Sequence, residues 1–110
     1  MLSHQNTAAA ERRVAERAPG PLDGFTTGQR SIRIGVLSVT GCFVETKEVA
    51  VVGQHVELKI QIPNWGLLDL EGEVAYTSSP IGFAVWFINL RPDTEIVLQA
   101  AVDALLNMGP

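Results

Sequence analysis

Two runs between His55 and Tyr76 alternate between apolar and polar residues, and this two-residue period limits the fold more than any other feature. In HVELKIQIP, Val56, Leu58, Ile60 and Ile62 fall on one side and Glu57, Lys59 and Gln61 on the other. That is the pattern of a strand with one buried and one wet face. After Asn64-Trp65-Gly66 the pattern resumes, with Leu68, Leu70, Gly72, Val74 and Tyr76 set against Asp69, Glu71, Glu73 and Ala75. Two such runs across a short turn predict an antiparallel hairpin. Upstream, Ile32, Ile34, Val36 and Ser38 share one parity, and a turn at 39–41 leads into a further extended piece at 42–45. Downstream, Phe83, Val85 and Phe87 alternate with Ala84, Trp86 and Ile88. Both sets are apolar there, which predicts burial on two sides.

After Pro92 the period changes. Val97, Ala101, Ala104, Leu105 and Met108 recur at three- and four-residue steps, Asp93 is a good cap and Glu95 favours the positive end of the dipole, so a helix is expected before Gly109-Pro110. Five to six short antiparallel strands followed by one helix predict an all-β fold with an accessory helix, a small barrel closed by pairing its outer strands. At 110 residues the chain supports one core, and 46% apolar with 18% charged residues is ordinary globular usage. The stretch APGPLDGFTTGQ, with two prolines and three glycines, reads as a loop or hinge holding at most a short strand near 22–26. Ahead of it, residues 3–17 are polar and show no apolar stripe, so a flexible arm is expected. The resulting division is an arm at 1–18, a barrel at 19–92 and a helix at 93–108.

Composition removes several function classes. The only imidazoles are His4, in the arm, and His55, at a strand entrance, so a nucleophile has no obvious base and catalysis is not expected. Cys42 sits in the apolar context GCFVE, where a buried, inert thiol is the default, and Asp69, Glu71 and Glu73 read as a solvated strand face. Neither a disulfide nor a metal site is expected from one cysteine and two histidines. Residues 1–33 carry five arginines against three carboxylates, a net of +2, while residues 34–110 carry three cations against nine carboxylates, a net of −6. An acidic body disfavours general DNA or RNA binding, which depends on neutralising phosphates. No apolar run approaches a membrane span and the start lacks a secretory pattern, so a soluble, cytoplasmic protein without membrane insertion is expected.

What remains is a pair of motifs. Arg13 and Arg17 are four residues apart, which places them on one side of either a helix or an extended chain. Arg12 points elsewhere. Then LSVTG at 37–41 puts the Ser38 hydroxyl at the end of a strand, followed by a tight turn at Gly41. RRVAER, followed by LSVTGCFVE, GEVAY and GFAVWFINL, resembles the PilZ family, bacterial domains that bind the second messenger cyclic di-GMP. The resemblance runs from about Arg12 to Met108.

It implies a six-stranded antiparallel barrel with a C-terminal helix, in agreement with the periodicity. The family's arginine motif falls on Arg12, Arg13 and Arg17. Its second motif falls on residues 36–41, where Ser38 and Gly41 match and Val36 stands in place of the usual aspartate or asparagine. The implied function is a cyclic di-GMP receptor and adaptor with no cofactor, in which the arm closes over ligand lying against Val36, Ser38 and Gly41 and signals to a protein partner in motility or biofilm regulation. The competing expectation is a degenerate adaptor that has lost the nucleotide and acts only by protein contact. Chemistry explains the residue types: a guanidinium fork bonds bidentately to phosphate or to the guanine O6/N7 edge, or stacks on a base, a hydroxyl donates or accepts, and glycine admits close approach. An acidic or amide side chain accepts from the guanine N1 and N2 hydrogens, which valine cannot do.

Overall fold

The computed structural model describes residues 16–26, 28 and 30–107. Among them six antiparallel strands form a closed barrel: β1 (Ala18–Thr26), β2 (Ser31–Leu37), β3 (Gly41–Glu45), β4 (His55–Ile62), β5 (Gly66–Ser78) and β6 (Gly82–Ile88), followed by one helix, α1 (Pro92–Asn107). The strand order is β1-β2-β3-β6-β5-β4, with β4 pairing back onto β1. The barrel with its C-terminal helix is the expected architecture.

Strict alternation carries β4 and the first part of β5. Leu58, Ile60, Ile62, Leu68, Leu70 and Val74 point inward and are buried. The pairing of Leu58 with Leu70 and of Ile60 with Leu68 sets the hairpin register. Asn64 takes φ 64° in the turn, a left-handed conformation that asparagine tolerates better than most residues. On the wet face Lys59 Nζ meets Asp69 Oδ1 at 2.8 Å and His55 Nε2 meets Glu71 Oε2 at 3.0 Å. The solvated reading of the acidic face therefore agrees with the geometry.

Three sequence expectations change. β1 begins at Ala18, which is buried, so the proline-rich stretch is strand rather than loop. Its prolines are tolerated because the β1–β2 register shifts between Pro19 and Leu22, and because β4 pairs only with residues 24–26 of β1. A proline without an N–H belongs at such an irregular, one-sided stretch. Next, the β2–β3 register shifts between Ile34 and Val36 and the β5–β6 register between Val74 and Tyr76. Each bulge inserts one residue, Gly35 or Ala75, and reverses the parity that follows. Leu37 is therefore buried inside the barrel while Val36 is half-buried on its outer surface. Tyr76 is 57% exposed instead of continuing the inner stripe. Finally, β6 is not buried on both sides: Phe83 and Val85 enter the core, and Trp86 stands outside, 52% exposed.

The helix begins one residue earlier than its expected cap. Pro92 occupies the first helical position, the Arg91 carbonyl accepts from the Glu95 amide at 2.9 Å, and Asp93 lies in the first turn, where its carboxylate favours the dipole. Leu98, Ala101 and Val102 form its buried stripe, with Leu105 and Leu106 packed beside them. The stripe is thus rotated from the expected one, since Ala104 is exposed and Met108 lies outside the described residues. The helix packs against β1.

Candidate functional site

The two bulges turn outward a set of side chains that strict alternation would have buried. Across the outer face of β2, β3, β6 and β5, Val36 pairs with Phe43, Phe43 with Ala84, and Ala84 with Tyr76. These residues form one row over four neighbouring strands. Two positions further along β6, Trp86 pairs with Gly41 of β3. The row floors a groove of about 270 Å³, completed by Arg17 before β1, by Ser38, Thr40 and Gly41 of the β2–β3 turn, and by Ala75, Cys42 and Val85. The Phe43 and Tyr76 rings lie with centroids 6.4 Å apart at 39°.

Ser38 and Gly41 shape this groove through the backbone. The Ser38 amide donates to the Gly41 carbonyl at 2.9 Å, which closes the turn. The Ser38 Oγ accepts from the Thr40 and Gly41 amides, both at 3.2 Å, and lies 3.0 Å from the Thr40 hydroxyl and 3.2 Å from the Gly41 carbonyl oxygen. A hydroxyl has one proton and two lone pairs, so in this geometry the turn uses all of its capacity. Ser38 is 8% exposed, the one charged or polar residue among the described residues that is buried. At Gly41 any Cβ would meet the Val85 carbonyl. Glycine is required there because β3 and β6 approach closely, and the missing side chain keeps open the space beside Trp86.

The groove has a neutral apolar floor and a charged entrance. Burial pushes the Cys42 thiol up to about 12, so the floor offers no thiolate at physiological pH. Arg17 is exposed and is the one cation among the described lining residues. Such a site can hold an anion at its rim and stack flat rings on its aromatic wall. Elsewhere, Glu71 is held below the usual carboxylate range by hydrogen bonds from His55 and Asn89, but it lies outside the groove lining. Among the described residues no group of histidines, cysteines and carboxylates is placed to hold a metal, and no helix is long and apolar enough to cross a membrane.

Of the residues singled out from sequence, Arg17, Val36, Ser38 and Gly41 come together around this groove. Arg12 and Arg13 lie outside the described residues. Sequence reasoning missed Phe43, Tyr76 and Trp86 as lining. The available signal was the apolar character of both parities in β6, which two-sided burial also explains.

A family model for the PilZ domain matches residues 11–104. Among solved structures, YcgR from Escherichia coli in complex with c-di-GMP superposes with a TM-score of 0.71 at 20% identity, over 88% of this chain and 47% of that one. The isolated PilZ domain of YcgR with c-di-GMP gives 0.69 at 18% identity, over 88% and 93%. The Bacillus subtilis inhibitor of motility MotI/DgrA gives 0.69 at 16% identity, over 84% and 50%. This chain therefore spans about half the length of the YcgR and MotI chains. Among curated proteins nothing matches.

Proposed function

This chain belongs to the PilZ domain family, and from that premise we propose that it is a cyclic di-GMP receptor and adaptor without catalytic activity. Arg12, Arg13 and Arg17 hold the nucleotide's phosphates. The aromatic wall of Phe43, Tyr76 and Trp86 takes its bases, and the turn of Ser38 to Gly41 forms the rim. The observation that supports this reading best is the groove itself, which collects Arg17, Val36, Ser38 and Gly41 from separate parts of the sequence around an exposed aromatic surface. Ligand bound at Arg17 rearranges the arm that precedes β1, and the changed surface is what a protein partner reads. The similar MotI is an inhibitor of motility, which supports motility or biofilm regulation as the setting. The net charge of −6 over residues 34–110 disfavours DNA and RNA as partners.

Calorimetric titration of the full chain with cyclic di-GMP tests this. Saturable binding that weakens as salt is added is expected, because phosphate pairing contributes to it. A flat titration at low salt and high ligand concentration refutes it in favour of a second reading, an adaptor that works by protein contact alone. Two observations favour that second reading: Val36 offers no acceptor, and the Ser38 hydroxyl is already engaged within its own turn.

A further inference from the structure

Guanine differs from adenine and hypoxanthine by its N2 amine, a donor that an acceptor must meet. Arginine carries donors alone, so Arg12, Arg13 and Arg17 can bond phosphate or the O6/N7 edge but not this amine. An acceptor stands on β3. There Cys42 and Val44 are buried in the barrel while Phe43 and Glu45 alternate with them on the outer face, and Phe43 floors the groove. Glu45 is thus the next outward residue beside it. Its direct partner across β2 and β3 is Arg33. The side chain nevertheless leans toward the groove, because a Cβ added at Gly35 would meet the Glu45 carboxylate. That carboxylate fills the place a side chain at position 35 would take, next to Val36 of the groove lining. Glu45 is exposed, and among the described residues its carboxylate makes no hydrogen bond or ion pair.

We infer that Glu45 is a guanine-specificity residue of the groove: its carboxylate accepts from the N2 amine of a base seated beside Val36 and Phe43. This rests on the nucleotide-binding reading above and names the residue that selects the base. Valine at 36 offers no acceptor, and the neighbouring strand supplies one through the gap that Gly35 leaves. A site that bonds a ligand N–H rejects the analogue lacking it, most strongly where the stranded group is buried. Glu45 is exposed, so water replaces the missing amine and the discrimination is about tenfold, the low end for a bond to a charged group. The N2 amine has two hydrogens, so a bond to Glu45 leaves N1–H and the second N2 hydrogen for an acceptor introduced at position 36.

The discriminating probe is cyclic di-IMP, in which hypoxanthine replaces guanine. It keeps O6, N7 and N1–H and lacks the N2 amine, so the bonds from arginine are the same in both ligands. Cyclic di-GMP and cyclic di-IMP are titrated calorimetrically into the full native chain, Glu45→Ala and Gly35→Ala. The native protein is expected to prefer cyclic di-GMP by about tenfold. Glu45→Ala should bring the two within about threefold of each other, by weakening cyclic di-GMP and leaving cyclic di-IMP near native. Gly35→Ala should do the same with Glu45 still present, because its methyl displaces the carboxylate. A native preference under about threefold, or one that either folded variant leaves intact, overturns the inference while the nucleotide reading stands. Binding of neither ligand by the native protein overturns the reading and the inference with it. Gly35 lies in the β2 bulge, and if Gly35→Ala does not fold, Glu45→Ala decides alone.

Discussion

Replacing Val36 by aspartate separates a base-reading position from a packing position. By parity alone Val36 would continue the Ile32 and Ile34 stripe into the core, where an unpaired carboxylate costs several kcal/mol. The bulge at Gly35 places it outside, half-buried, in the groove beside Ser38 and Arg17. Full burial of a valine is worth about 1.5–3 kcal/mol, so the partial burial lost here is about 1 kcal/mol. That corresponds to a melting temperature lower by about 4–8 °C. Against this, a carboxylate that accepts from guanine N1 and N2 contributes about 1–3 kcal/mol of binding, a gain of roughly five- to 150-fold in affinity for cyclic di-GMP. Thermal melts and calorimetry on the same samples measure both quantities. A variant that fails to fold refutes the outward placement. One that folds and binds no more tightly refutes contact between this position and guanine.

Arg17→Ala should reduce cyclic di-GMP affinity by about 10- to 150-fold, the worth of a charge-assisted bond, while calorimetric melting stays near native because the side chain is exposed. Gly41→Ala should destabilise the barrel by about 1–3 kcal/mol in urea unfolding, since its methyl meets the Val85 carbonyl across β3 and β6. Cys42 should resist thiol-directed alkylation at pH 8 in the native protein and react once unfolded, because burial holds its pKa at about 12. Glu71→Gln should lower the melting temperature slightly near neutral pH and match the native protein in acid. Its carboxyl is held below the usual range, and a depressed pKa contributes stability above the unfolded-state value that is lost as pH falls through the folded-state value.

Where local and global preferences agree, the fold could be read directly. The β4–β5 hairpin was legible because its alternation is unbroken and every polar residue faces water, so a one-residue slip would bury charges such as Glu57, Lys59 and Asp69. The closed barrel followed from the number of short strands and the need to cover their edges. β1 was not legible, because Pro19 and Pro21 oppose strand formation by every local rule. Only the tertiary arrangement, with β4 reaching no further than residues 24–26 and the β1–β2 register shifted between Pro19 and Leu22, removes the ladder bonds they could not make. The helix stripe is only partly legible: Ala101, Val97 and Leu105 of the expected set pack on the core, but neighbouring apolar residues compete for the buried face, and Leu98 and Val102 take it.

The groove was half legible for a related reason. Its rim consists of Ser38 and Gly41, whose turn chemistry is local and visible, whereas its wall depends on two bulges that the alternation does not mark. Each bulge reverses parity only for the residues after it, and both reversals fall at the groove: Gly35 turns out Val36, and Ala75 turns out Tyr76. Without them Tyr76 and Val36 would join the core, and Phe43 and Trp86 would stand as isolated exposed aromatics instead of sides of one concave surface. Bulges bend a strand and increase its local twist, and here both lie where the groove is lined, at Val36 and at Ala75 and Tyr76. The departures from regular strand pairing thus assemble the surface on which the proposed ligand rests, and a sequence read by period alone loses its parity there.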